Sequence, residues 1–219
     1  MTLLVPMYVH PAVDPDAWRT LVASAPLLYG VVLNVDDGPG SVPDPAFTDP
    51  VRDLRAAGVR VLGYVDTDYG RRPVRAVAQD FERHRDWYAT DGFFLDQVAA
   101  DQAGLRHYRR LARAARTRGG RTVALNPGVH PAPGYAAFAD LLVTFEGDWD
   151  AYCAAPAAPP WAAGHAADRF CHLVHGVPKR LCGLAARTAE LRGAAVHCAV
   201  TGHGPNPWSA LPPALRKAS

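Results

Sequence analysis

Eight short apolar runs recur along the chain. They are Leu3–Val9, Gly30–Asn34, Arg60–Val65, Gly92–Asp96, Thr122–Asn126, Leu141–Glu146, Phe170–His175 and Ala195–Thr201. Each is followed by polar, Gly- or Pro-rich residues and then, in most cases, by a helical pattern. The runs are continuous rather than alternating, which predicts strands buried on both faces, as in a parallel sheet. Amphipathic stretches predict helices over Asp49–Gly58, Val74–Tyr88, Gly104–Arg118 and Arg180–Arg192. Pro50 suits a first helical turn, and Gly58, Gly119-Gly120 and Gly193 suit helix stops.

Eight strands alternating with helices over 219 residues predict an α/β fold, a single (β/α)8 TIM-type barrel domain spanning residues 1–219. A doubly wound open sheet is the main rival. It is weakened because no Gly-x-Gly-x-x-Gly follows the first strand, and Gly38-Pro-Gly40 leads into prolines rather than a helix start. The Pro/Ala-rich stretch Ala154–Ala163 predicts a long loop within the domain.

Composition narrows the function classes. With 49% hydrophobic and 20% charged residues, a packed core is expected and disorder is not. The net charge is +2 and the basic residues are spread along the chain, which is not the footprint of a nucleic-acid binder. No run approaches about 18 apolar residues, so no membrane span is expected. The first ten residues lack the positive region of a signal peptide, which predicts a cytoplasmic protein, or a secreted one if a leader precedes this sequence. Cys153, Cys171, Cys182 and Cys198 form no Cys-x-x-Cys pair and read as buried thiols rather than zinc ligands. His172 and His175 lie three apart on a predicted strand and should face opposite ways. No metal or cofactor is expected, and a monomer is.

In such a barrel the chemistry gathers at the C-terminal ends of the strands. Asp96 and Glu146 each terminate an apolar run. Two carboxyls across a cleft are what glycoside hydrolysis needs, one to protonate the leaving oxygen and one to attack the anomeric carbon or activate water. Each could equally be a polar strand end that binds backbone N–H or an arginine. Tyr8, Tyr64, Tyr69, Trp149 and Trp208 fall at or just past strand ends. Their faces suit the apolar C–H faces of sugars, although any one of them could simply pack under a loop. Asn34, Asp66, Gln97, Asn126 and His175 are polar strand-end candidates for substrate binding, and Arg72 is a candidate partner for a rim carboxylate. Asp66 could instead hold its own loop through local hydrogen bonds. Lys179 and Lys217 are the only lysines and sit in a loop and in the tail, which argues against Schiff-base chemistry. No Gly-x-Ser-x-Gly, Walker A or His-Glu-x-x-His motif occurs.

Several motifs in order carry a family likeness: Val5-Pro-Met-Tyr-Val-His-Pro11, Trp18, Asn34 with Gly38-Pro-Gly40, Gly63-Tyr-Val-Asp-Thr-Asp-Tyr-Gly-Arg-Arg72, Trp87-Tyr88, Gly92-Phe-Phe-Leu-Asp96, Leu125-Asn-Pro-Gly128, Thr144-Phe-Glu146 and Asn206-Pro-Trp-Ser-Ala-Leu-Pro212. Over nearly the whole chain the sequence resembles the spherulin-4 (spherulation-specific) family. The resemblance implies a (β/α)8 barrel and a glycoside hydrolase, endo-acting and retaining, on α-1,4-linked galactosamine or N-acetylgalactosamine polymers such as the galactosaminogalactan of fungal biofilms. It also implies acidic catalytic residues after strands four and six, here Asp96 as nucleophile and Glu146 as acid/base. One departure stands out. The family motif at strand four usually ends Asp-Glu, and this chain has Asp96-Gln97. Glutamine keeps the hydrogen bonds of glutamate but cannot titrate. A non-catalytic glycan-binding barrel is therefore the competing expectation. A barrel enzyme on a phosphorylated metabolite is the weakest, because the late strands show no Gly-rich phosphate loop. The polymer reading further predicts an acidic cleft, with Asp36, Asp37, Asp66, Asp68, Asp96, Glu146 and Asp148 at the rim, and a basic helical exterior.

Overall fold

A computed structural model describes residues 1–215; Lys217 lies outside them. Eight parallel strands close into a barrel in sequential order: β1 (Thr2–Met7), β2 (Leu28–Leu33), β3 (Val61–Asp66), β4 (Gly92–Asp96), β5 (Thr122–Leu125), β6 (Leu141–Asp148), β7 (Phe170–His175) and β8 (Val196–Ala199), with β1 pairing back to β8. The TIM-type barrel predicted by the apolar runs is the observed fold. All eight runs are strands, and the edges differ by a few residues where the runs extend into the loops.

The outer layer holds α1 (Pro15–Ala23), α2 (Thr48–Ala56), α3 (Val74–Tyr88), α4 (Leu105–Thr117), α5 (Trp149–Ala154) and α6 (Cys182–Leu191). Helices α1 and α5 add to the four predicted from periodicity. Asp14 caps α1 by accepting from Ala17 N at 2.9 Å, with Pro15 in its first turn. Asp148 caps α5 through Ala151 N at 2.8 Å. The Pro/Ala-rich segment after α5 is irregular apart from a short 3-10 turn at Pro160–Gly164.

Two apolar layers result from strand alternation. Leu4, Val32, Leu62, Phe94, Ala124, Val143, Leu173 and Cys198 pack inside the barrel, while Phe93, Leu95, Val123 and Leu125 pack outward under the helices. Cys171 and Cys198 are buried inside the barrel, and all four cysteines are free thiols. Among the described residues no helix is long and apolar enough to cross a membrane.

The barrel closes tightly at β4 and β5. A Cβ on Gly92 would lie 2.2 Å from the Thr122 carbonyl oxygen. Gly92→Ala should therefore destabilise by about 1–3 kcal/mol through overpacking against backbone. Thermal unfolding should show Tm lowered by roughly 2–12 °C; an unchanged Tm would mean that the strands part without cost.

Strand β6 breaks the regular pattern. Val143 pairs with Cys171 and Phe145 with His172, leaving Thr144 as an extra residue in a β-bulge. Val143 faces the barrel interior. Strict alternation would then place Phe145 inside and Glu146 outside. The bulge reverses this: Phe145 packs outside against Tyr152 and Val174, and Glu146 pairs with the inward Leu173. Bulges beside functional sites re-aim side chains in this way.

Candidate active site

The mouth of the barrel follows from the same alternation. Tyr8, Asn34, Tyr64, Asp96, Asn126 and His175 each lie two residues beyond, or in step with, an inward core residue of their own strand, and the bulge adds Glu146 to the set. All but Asn126 line a cleft of about 610 Å³, together with Val35, Asp36, Asp37, Trp208 and the 204–207 segment. That volume falls within the range of small-ligand sites. The cleft lining contains four carboxylates and neither arginine nor lysine, whereas arginines line the surface depressions beside α4.

Asn126 joins the two central acids. Its Nδ2 donates to Asp96 Oδ1 at 2.6 Å and also to Glu146 Oε2. Its Oδ1 accepts from Gly128 N at 3.1 Å, which fixes the amide with nitrogen toward the acids. Two hydrogen bonds from one nitrogen keep the nearest carboxyl oxygens within about 6 Å of each other. Asn126 itself is buried and anchored at the end of β5, donating its backbone N–H to Leu95 O at 2.8 Å.

The acids occupy different electrostatic settings. Asp96 accepts a second hydrogen bond, from the Tyr64 hydroxyl at 2.8 Å. Burial raises its pKa, and hydrogen bonds from Tyr64, the Gln97 backbone and Asn126 oppose the rise. Burial pushes Glu146 up to about 7, reinforced by the negative charge of Asp96 and opposed by hydrogen bonding from Asn126 and Trp208. Environments that separate two carboxyls in this way suit them to different roles. The Tyr64 phenol is raised too, by burial and then by Asp96, so it stays protonated and remains a donor.

Aromatic groups wall the cleft. Tyr8 meets Tyr64 edge-on with ring centroids 5.8 Å apart, and His175 meets Trp208 edge-on at 6.1 Å. Asn34 shapes the β2 rim: its Oδ1 accepts from Gly38 N at 2.8 Å. That turn carries Asp37 at φ 45° and Gly38 at φ 140°, and it presents Asp36 and Asp37 to the cleft.

The model of spherulation-specific family 4 matches residues 2–218. The chain belongs to this family. It is 34% identical to Spherulin-4 of Physarum polycephalum over 149 residues, which is 66% of this chain and 44% of that protein; the match thus spans less than half the length of this relative. Its fold is similar to Sph3 of Aspergillus clavatus, solved in complex with GalNAc, with a TM-score of 0.80 at 24% identity, covering 96% of this chain and 92% of Sph3. It is also similar to a chitinase of Rhizomucor miehei, with a TM-score of 0.58 at 13% identity, covering 99% and 100% of the two chains.

In this member of spherulation-specific family 4, five expected residues besides Asn126 do not line the cleft. Asp66 holds its own loop, accepting from Asp68 N at 2.7 Å. Arg72 straps that loop to α3, donating to Asp66 O at 2.5 Å and Asp80 Oδ2 at 2.6 Å. Tyr69 is 57% exposed, and its backbone N–H donates to Gln97 O at 2.8 Å. Gln97 works through its backbone: at φ 49° its carbonyl accepts from Tyr69 N and from Thr67 Oγ1. Trp149 opens α5 and packs against Tyr152 outside the barrel. Of the acids expected at the rim, Asp68 instead pairs with Arg71 and Asp148 caps α5. His172 and His175 do face opposite ways: His172 is buried against the Tyr152 hydroxyl at 2.8 Å. Asn206 lines the cleft without having been singled out for binding. Its signal was the Asn-Pro-Trp run, in which Asn206 Oδ1 accepts from Trp208 N at 3.2 Å.

Proposed function

We propose that the chain is a retaining glycoside hydrolase acting on α-1,4-linked galactosamine or N-acetylgalactosamine polymer. The observation that carries this reading is the pair of half-buried carboxyls at the barrel mouth, Asp96 and Glu146, held by one Asn126 amide. One amide nitrogen bonded to both acids keeps their nearest oxygens within about 6 Å, which supports the close spacing of about 5–5.5 Å of retaining enzymes over the 6.5–9.5 Å of inverting ones. Asp96, held by two donors, attacks the anomeric carbon, while Glu146 gives its proton to the departing glycosidic oxygen. Glu146 then takes a proton from water as that water attacks the same carbon and Asp96 leaves.

The substrate class rests on family membership, on the GalNAc held by the structurally similar Sph3, and on a cleft with four carboxylates and no basic side chain in its lining. Such a cleft favours amino sugars, which carry positive charge when deacetylated. The non-catalytic alternative turned on Gln97. Its backbone carbonyl does the positioning there, a role open to glutamine and glutamate alike.

The test is incubation with partly deacetylated α-1,4-galactosaminogalactan, following products by NMR. Released oligosaccharides of α configuration are expected first. Initial β products would overturn the retaining mechanism. Polymer binding without release by folded protein would favour the glycan-binding alternative.

A further inference from the structure

Strand β3 reaches the site with a support behind it. Its pairing with β2 ends at the rung Leu33–Gly63. One residue further on, the Tyr64 carbonyl oxygen is held by His84 of α3, whose Nε2 lies 2.7 Å away. A carbonyl only accepts, so Nε2 carries the proton and Nδ1 is bare. His84 is fully buried, and its Nδ1 has no hydrogen-bond partner among the described residues. Burial lowers its pKa to about 4, so the ring is a neutral donor above about pH 5.

The fit depends on Gly63. A Cβ there would lie 2.4 Å from His84 Cγ. The ring reaches the carbonyl only because residue 63 has no side chain. A buried imidazole with one nitrogen unpaired, set against a glycine inside a strand, is a costly way to fill space. An apolar side chain at position 84 would avoid the unpaired nitrogen.

What the contact secures is Tyr64. Its ring stacks on Phe94 with centroids 6.4 Å apart and meets Tyr8 edge-on. Its hydroxyl donates to Asp96 Oδ2 at 2.8 Å. Carbonyl and phenol belong to one residue, so holding the first fixes the reach of the second. Asp96 is also faced by Asp66 on β3, by Asn126 and Glu146, and by Tyr8 on β1. Tyr64 and Asn126 are the side chains that donate to its carboxyl.

We propose that His84 is a positioning residue for the nucleophile: it occupies the space that Gly63 leaves open, holds the Tyr64 carbonyl, and so places the phenol that donates to Asp96. His84 itself does not line the cleft. The inference rests on reading Asp96 as the nucleophile.

The test compares His84→Leu, which removes the donor, with His84→Gln, which keeps an Nε2 donor. In His84→Leu, kcat on the galactosamine polymer should fall about 10–100-fold, the scale on which a misplaced group acts, with KM unchanged. The acid limb of activity should move to higher pH, because Asp96 loses a hydrogen bond that favours its charged form. His84→Gln should keep kcat and the acid limb close to wild type. Beside Tyr64→Phe, His84→Leu should add nothing, because no phenol is left to place. The proposal is overturned if folded His84→Leu keeps the wild-type acid limb, if His84→Gln shifts as His84→Leu does, or if the effect of His84→Leu persists in full beside Tyr64→Phe. NMR titration of Asp96 reads the same shift without turnover, so failure of the hydrolase reading and failure of the positioning role stay distinct. In wild type the imidazole nitrogen shifts should show the neutral Nε2–H form above about pH 5. The Nδ1–H form would overturn the proposal whether or not the variants fold.

Discussion

Asp96→Asn is expected to lower turnover of the galactosamine polymer by at least about 10⁴-fold, the scale on which loss of a catalytic nucleophile acts. Asparagine fills the same space and keeps an acceptor for the Asn126 amide, so Tm should not fall. A second effect should accompany the loss. The charge of Asp96 is one of the causes holding Glu146 up, so removing it should move the Glu146 titration down, toward the ordinary carboxylate range. NMR of the Glu146 side chain reads this shift independently of activity. Turnover within tenfold of wild type would remove Asp96 from its role, and an unmoved Glu146 titration would show that the two acids do not sense each other.

Glu146→Gln is expected to abolish general acid catalysis and yet to stabilise the protein above neutrality. The folded state raises Glu146 from 4.5 to about 7, so it holds the proton more tightly than the unfolded chain does. Below about pH 4.5 both states are protonated and the group has no effect on stability. Between that point and about pH 7 the unfolded chain ionises first, and wild-type stability falls as pH rises. Above pH 7 the folded state carries a buried charge that costs about 3 kcal/mol. Glutamine carries no such charge and still accepts from Asn126. The variant should therefore match wild type near pH 4 and exceed it at pH 8, with Tm higher by roughly 6–12 °C. A stability difference that stays constant across this range would refute the assigned titration. In wild type the same ionisation sets the basic limb of activity, which should fall as pH rises through about 7. The acid limb reports protonation of Asp96, which burial places above the usual aspartate value.

The sequence made much of the fold and part of the site legible, for a physical reason. In a strand buried on both faces, nearly every position must be apolar, so the first polar residue marks the end of the strand. That rule led to Asp96, Asn126, Glu146 and His175. It says nothing of direction past the strand. Beyond β3 the chain turns through Asp68 and Tyr69, both at positive φ, and Asp66, Tyr69 and Arg72 become loop architecture rather than cleft. Hydrogen bonds to one's own backbone follow from local turn geometry, which a residue type alone does not reveal. Trp149 was misplaced because strand β6 runs on to Asp148, and the helix capped there carries the ring outside. The double hydrogen bond of Asn126 was invisible for another reason: it joins β4, β5 and β6, which only closure of the barrel brings together. Helix α5 spans six residues, too short for periodicity to stand out; α1 is as long as the predicted α2, and its signal in the sequence was the capping Asp14 with Pro15.

The two acids stand on strands with unequal tolerance of changes in length. Thr144 is a residue that β6 has already absorbed. Deleting it would restore an even ladder and leave the same carboxyl turned inward. Strand β4 pairs with β3 and β5 without interruption. There, gain or loss of one residue would rotate Asp96 toward the helices. During descent, length variation among relatives should therefore be found before the acid of β6 and be absent before that of β4.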